Sequence, residues 1–96
     1  MPTKRSLPAA LKQARKARGL SQEAFADVSS RTYMSTLERG MKSPTLSKLA
    51  AICQVLAIHP VTLLTLSYTG GNASEIDSLI ARIRRELATL TRHSSN

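Results

Sequence analysis

Polar caps and glycines cut this chain into a series of segments that carry their apolar residues at helical spacing. Ser6 precedes Leu7-Pro8, and Gly19 follows Leu7, Ala10, Leu11 and Ala14, which recur at helical spacing. A Ser, Thr, Asp or Asn oxygen satisfies the free N–H groups that open a helix. Pro is harmless in the first turn, and Gly closes a helix through left-handed backbone. The same punctuation predicts a second, short helix capped by Ser21, with Ala24, Phe25 and Val28 as its apolar members. After a turn at Ser29 and Ser30, a third helix capped by Ser30 runs to about Arg39, and Gly40 ends it. Thr45 opens a fourth helix with Leu46, Leu49, Ala50, Cys53 and Leu56 on one face, and His59-Pro60 open a fifth containing Val61, Leu63, Leu64 and Leu66. Gly70-Gly71-Asn72 is the strongest breaker, and Ser74 to about Arg92 reads as one long final helix.

The expected architecture is all-α. A flexible basic arm (1–6) precedes a five-helix domain (7–68), a hinge (69–73), a C-terminal helix (74–92) and a short tail (93–96). Aromatic residues at 3%, with no Trp, are too few to fill an all-β core. A chain this short buries only a little over ~60% of its unfolded surface, so association with a second copy would help it.

Fourteen Lys and Arg against six Asp and Glu leave a formal net charge of +8. Lys4, Arg5, Lys12, Arg15, Lys16 and Arg18 all fall in the first twenty residues, with no acid among them. Such an excess suits a polyanion, either nucleic acid or an acidic membrane surface. No helix combines a basic face with a large aromatic one, and no stretch approaches ~18 apolar residues, so a membrane partner is not expected. One cysteine, Cys53, makes no internal disulfide, and Met1–Leu11 lack the apolar run of a signal peptide. Both point to the cytoplasm. Cys53 reads as a small buried hydrophobe. One Cys and two distant His assemble no metal site, and no nucleophile–base constellation or Gly-rich phosphate loop is visible. Neither an enzyme nor a cofactor is expected.

The third helix carries the functional signal. A step of ~100° per residue places Met34, Leu37, Glu38 and Met41 on one side, with Thr32, Thr36 and Arg39 opposite, flanked by Ser35. Small hydrogen-bonding side chains with a cation suit the DNA major groove, which admits a helix only if its side chains are not bulky. Alone, that face also fits a plain Ser/Thr-rich surface.

Around it stand Leu20-Ser21-Gln22-Glu23, then Arg31-Thr32-Tyr33-Met34-Ser35-Thr36-Leu37-Glu38-Arg39-Gly40, then Ser43-Pro44-Thr45-Leu46. In this order the motifs resemble the phage repressor and Cro-type helix-turn-helix family, the XRE family, over roughly residues 7 to 66. The resemblance implies a repressor-like fold and double-stranded DNA as partner. It implies base-edge contacts from Ser30, Arg31, Thr32 and Thr36, with Arg31 able to bond guanine O6 and N7 together. Phosphate contacts fall to Gln22, at a helix N-terminus that favours an anion, and to Arg39, Lys42 and Ser43 after the recognition helix. Tyr33 either donates to a phosphate or packs. Glu38 and Arg15 match an inner ion pair with a structural role. The chain departs from the pattern between the second and third helices, where Asp27-Val28-Ser29-Ser30 form a shorter connection without Gly.

On the last helix, Ile76, Ile80, Ile83, Leu87 and Leu90 are spaced four, three, four, three. That is an a/d heptad seam, narrower than the stripe of a helix lying on a globular core. It predicts a homodimer contact; packing back on its own domain is the alternative. The expected function is a transcriptional regulator acting as a homodimer on a palindromic operator. The rival is an antitoxin that binds a protein toxin through the C-terminal helix and regulates its own promoter.

Overall fold

Side-chain acceptors open nearly every helix in the computed structural model, which describes residues 5–94. Helix α1 (Leu7–Ala17) starts where Ser6 Oγ accepts from the Ala9 N–H at 3.3 Å, with Pro8 in the first turn. Helix α2 (Arg31–Glu38) starts where Ser30 Oγ accepts from Tyr33 N–H at 3.0 Å. Helix α3 (Leu46–Leu56) is capped by Thr45, whose Oγ1 accepts from Lys48 N–H at 3.1 Å. Helix α4 (Pro60–Thr69) is capped by His59, whose Nδ1 accepts from Val61 N–H at 3.0 Å. Helix α5 (Ala73–Ser94) begins one residue before the expected Ser74, because Asn72 Oδ1 accepts from Glu75 N–H at 3.0 Å and takes the capping place.

The predicted second helix is shorter than expected. Residues Gln22–Phe25 form one 3₁₀ turn, and the Ser21 side chain makes no capping bond. A 3₁₀ turn rises ~2.0 Å per residue against ~1.5 Å in an α-helix. The connection to α2 contains no glycine, and within it Ser29 N–H donates to Phe25 C=O at 2.8 Å. Of its apolar members, Phe25 is fully buried and Val28 half-buried, while Ala24 faces solvent.

One core joins the elements. Leu11, Phe25, Met34, Leu37, Ile52, Cys53, Leu56 and Leu63 are almost wholly removed from water. Helix α1 lies against α2 and α4, α2 against the 3₁₀ turn, and α5 against α4. The inward stripe of α3 is Leu49, Ile52, Cys53 and Leu56, not the expected Leu46 to Leu56 face. Leu46, in the first turn, is 82% exposed, and Ala50, next to buried Leu49, also faces solvent. Met41 is also not inward. Helix α2 ends at Glu38, Gly40 turns the chain at φ +75°, and Met41 lies 66% exposed beyond it. Its N–H still closes the helix end by donating to Thr36 C=O at 3.0 Å.

The end of α3 is held from a distance. Ala57 sits in left-handed backbone at φ 59°, costly for a residue with a Cβ. Arg18 donates from Nε to Leu56 C=O at 2.8 Å and from Nη2 to Ala57 C=O at 3.3 Å. A guanidinium from the end of α1 thus satisfies carbonyls that a helix C-terminus leaves open. Arg5, expected in a free arm, forms a bidentate ion pair with Glu75 in the first turn of α5. The rest of that arm, including Lys4, lies outside the described residues.

Candidate nucleic-acid interface

Helix α2 is fixed from its inner side by an ion pair. Arg15 of α1 donates from Nε to Glu38 Oε2 at 2.6 Å and from Nη2 to Glu38 Oε1 at 2.9 Å. The two side chains are only 11% and 4% exposed. Arg15 Nη1 donates to Leu20 C=O at 2.8 Å, which ties in the loop leading to the 3₁₀ turn. The bonds to Glu38 raise the Arg15 pKa above its ordinary value despite partial desolvation. A carboxylate buried with its charges met in this way orients the helix without leaving an unpaired ion.

Gln22 joins the same cluster, its Nε2 donating to Glu38 Oε1 at 3.2 Å. It is the first residue of the Gln22–Phe25 segment, a single 3₁₀ turn of four residues. Tyr33 is half-buried against the core, and the Lys48 ammonium lies 5.6 Å from its ring centroid. Lys48 also donates to Val28 C=O at 2.5 Å, binding α3 to the turn before α2.

With its inner face fixed, α2 turns Arg31 and Thr32 fully outward, with Ser35 and Thr36 half-exposed and Arg39 exposed at its end. Thr36 donates to Thr32 C=O at 2.7 Å, which commits its hydroxyl proton to the helix. Ser30, also exposed, has its oxygen engaged as the α2 cap. Arg31 Nη1 donates to Glu23 Oε1 at 3.1 Å, a pair in which both side chains are about 70% exposed. Arg39 Nε reaches Ser35 C=O at 3.4 Å, and Lys42 and Ser43 are exposed in the loop that follows. Arg31, Thr32, Ser35, Thr36 and Arg39 therefore share one outward side, with Lys42 and Ser43 beyond its C-terminal end. The contacts of Glu23, Lys48 and Arg18 are not foreseen from the sequence. Their partners lie eight, twenty and thirty-eight residues away, and no periodicity announces such contacts.

A family model described as helix-turn-helix matches residues 11–63, more than half of the chain. The chain belongs to the helix-turn-helix family, of the XRE type. It is a DNA-binding transcription regulator. No curated protein and no solved structure matches it significantly. The match spans α1 to the middle of α4 and so takes in the Arg15–Glu38 pair and the whole outward side of α2. Helix α5 lies outside it. Ile76 and Ile83 are half-buried and, with Ile80, border a groove against α4, while Leu87 and Leu90 are 53% and 69% exposed. The seam is thus divided between its own domain and open surface. Among the described residues no three His, Cys, Asp or Glu side chains converge to hold a metal, and no single helix is long and apolar enough to cross a membrane.

Proposed function

We propose that this helix-turn-helix regulator acts as a homodimer on a palindromic operator, with α2 of each copy in a major groove. The observation that carries the reading is the outward side of α2, where Arg31, Thr32, Ser35, Thr36 and Arg39 present small polar groups and cations on a helix fixed from behind. In this reading Arg31 leaves Glu23 to bond a guanine, Thr32 and Thr36 contact neighbouring base edges, and Ser30 contributes through its hydroxyl proton. Arg39, Lys42, Ser43, Gln22 and the Tyr33 hydroxyl grip phosphates on either side. The a/d seam of α5 supplies the contact between copies.

The test is DNA binding by fluorescence anisotropy on a site selected from a random pool. Several phosphate contacts per copy, doubled in a dimer, predict a loss of about 10³ to 10⁵ in affinity between ~50 and ~200 mM salt. An affinity indifferent to salt, or a selected site without two-fold symmetry, would refute the reading. The second reading, an antitoxin that covers a toxin and regulates its own promoter, draws on the exposed Leu87 and Leu90. A chain that is monomeric when purified alone would favour it.

A further inference from the structure

Helix α5 carries both an unfilled apolar groove and apolar side chains with nothing to fill. The groove, about 500 Å³, is bordered by Val61, Thr65 and Leu66 of α4 and by Ile76, Ile80 and Ile83 of α5. Helix α4 has 10 residues and α5 has 22. At ~1.5 Å per residue these are ~15 Å and ~33 Å long, so α4 covers less than half of α5. Leu87 and Leu90 continue the same seam past the end of that cover, and a straight helix cannot fold them back into its own groove.

We propose that two copies pack α5 against α5 in antiparallel orientation, about a two-fold axis near Ile83. Leu87 and Leu90 of each copy then seat in the α4–α5 groove of the other. This rests on the homodimer reading and adds its orientation and its docking site. Three features agree on it. The seam is nearly symmetric about Ile83: Ile80 and Ile76 lie three and seven residues before it, Leu87 and Leu90 four and seven after. An antiparallel pair therefore sets Ile80 opposite the second copy's Leu87, and Ile76 opposite its Leu90.

Charge selects the same orientation. Before Ile83, α5 carries Glu75, Asp77 and Arg82; after it come Arg84, Arg85, Glu86 and Arg92. Parallel packing sets the two net-basic second halves on one another, whereas antiparallel packing lays each on a first half whose own charges sum to −1 and whose Glu75 is shared with Arg5. The helix dipoles also oppose one another favourably. Burial of the exposed leucines supplies the attraction, and the charges choose the direction.

Disulfide trapping in the full chain tests the orientation, with native Cys53, fully buried, as the background control. A mixture of Ile80→Cys and Leu87→Cys chains is expected to form mixed dimers under mild oxidation, and Ile83→Cys to link to itself. Leu90→Cys alone is expected to remain unlinked, because antiparallel helices hold the two positions ~21 Å apart, far beyond the ~7 Å that a disulfide spans. Self-linking of Leu90→Cys would show a parallel pair and overturn the proposal. A wild-type dimer in sedimentation with none of these links would place the interface elsewhere, overturning the proposal while sparing the homodimer reading. A wild-type monomer would overturn both.

Discussion

Arg15 and Glu38, 23 residues apart in sequence, meet through two hydrogen bonds of 2.6 and 2.9 Å in a nearly water-free setting. Removing one partner leaves the other charge buried. Glu38→Ala is expected to cost roughly 3–5 kcal/mol, read as a markedly lower denaturation midpoint. Glu38→Gln keeps an acceptor for Arg15 but loses the charge, and is expected to fall between. Unchanged stability with lost DNA binding in Glu38→Ala would place Glu38 on the DNA instead.

Base reading and backbone gripping are expected to separate. Arg31→Ala and Thr36→Ala should cost roughly 1–3 kcal/mol on the selected operator and relax its specificity at single base pairs. Lys42→Ala should weaken binding to all sequences alike and flatten the salt slope. Glu23→Ala removes the carboxylate that holds Arg31 in the free protein and is expected to tighten binding. Equal loss on specific and non-specific DNA for Arg31→Ala would move the reading position to another residue.

The turn after α3 offers a stabilising change. Ala57 occupies left-handed backbone at φ 59°, a conformation glycine adopts without strain. Ala57→Gly is expected to raise stability by up to ~1 kcal/mol, whereas Arg18→Ala, which frees the Leu56 and Ala57 carbonyls, should lower it by about 0.5–1.5 kcal/mol. Thermal denaturation of both variants checks the pair, and a destabilised Ala57→Gly would contradict the turn geometry.

Burial pushes the Cys53 thiol pKa up, because the thiolate is poorly solvated in the core. The folded value therefore exceeds the unfolded one of about 8.5. Stability from this group is complete below that pH and is lost as pH rises through the folded value. Alkaline destabilisation is expected to be smaller in Cys53→Ala than in the wild type, measured by urea titration from neutral to alkaline pH. An identical pH dependence in both proteins would refute it.

The helices were largely legible because their signals are local. Ser6, Ser30, Thr45 and His59 stand directly before the turns they cap, and Gly19, Gly40 and Gly70 stand where left-handed backbone ends a helix. Periodicity was less dependable at helix ends. Leu46 and Met41, at or beyond the ends of their helices, fit an apolar stripe in spacing yet are exposed, and so is Ala50 inside α3. The second helix stands where Ser21 and Phe25 predict it, but as a single 3₁₀ turn over Gln22–Phe25, and the Ser21 side chain makes no capping bond.

By itself, the sequence determined the order of the helical segments, the basic charge and the outward polar side of α2, since each is written in residues close together along the chain. The tertiary structure decided the bonds between distant residues. Arg18 on the end of α3, Lys48 on Val28, Gln22 on Glu38, Glu23 on Arg31 and Arg5 on Glu75 exist only once the core has brought separate segments together. It also decided how the α5 seam is shared, because a helix of 22 residues outruns the 10 of α4, and that length becomes a groove and an overhang only when the two lie side by side.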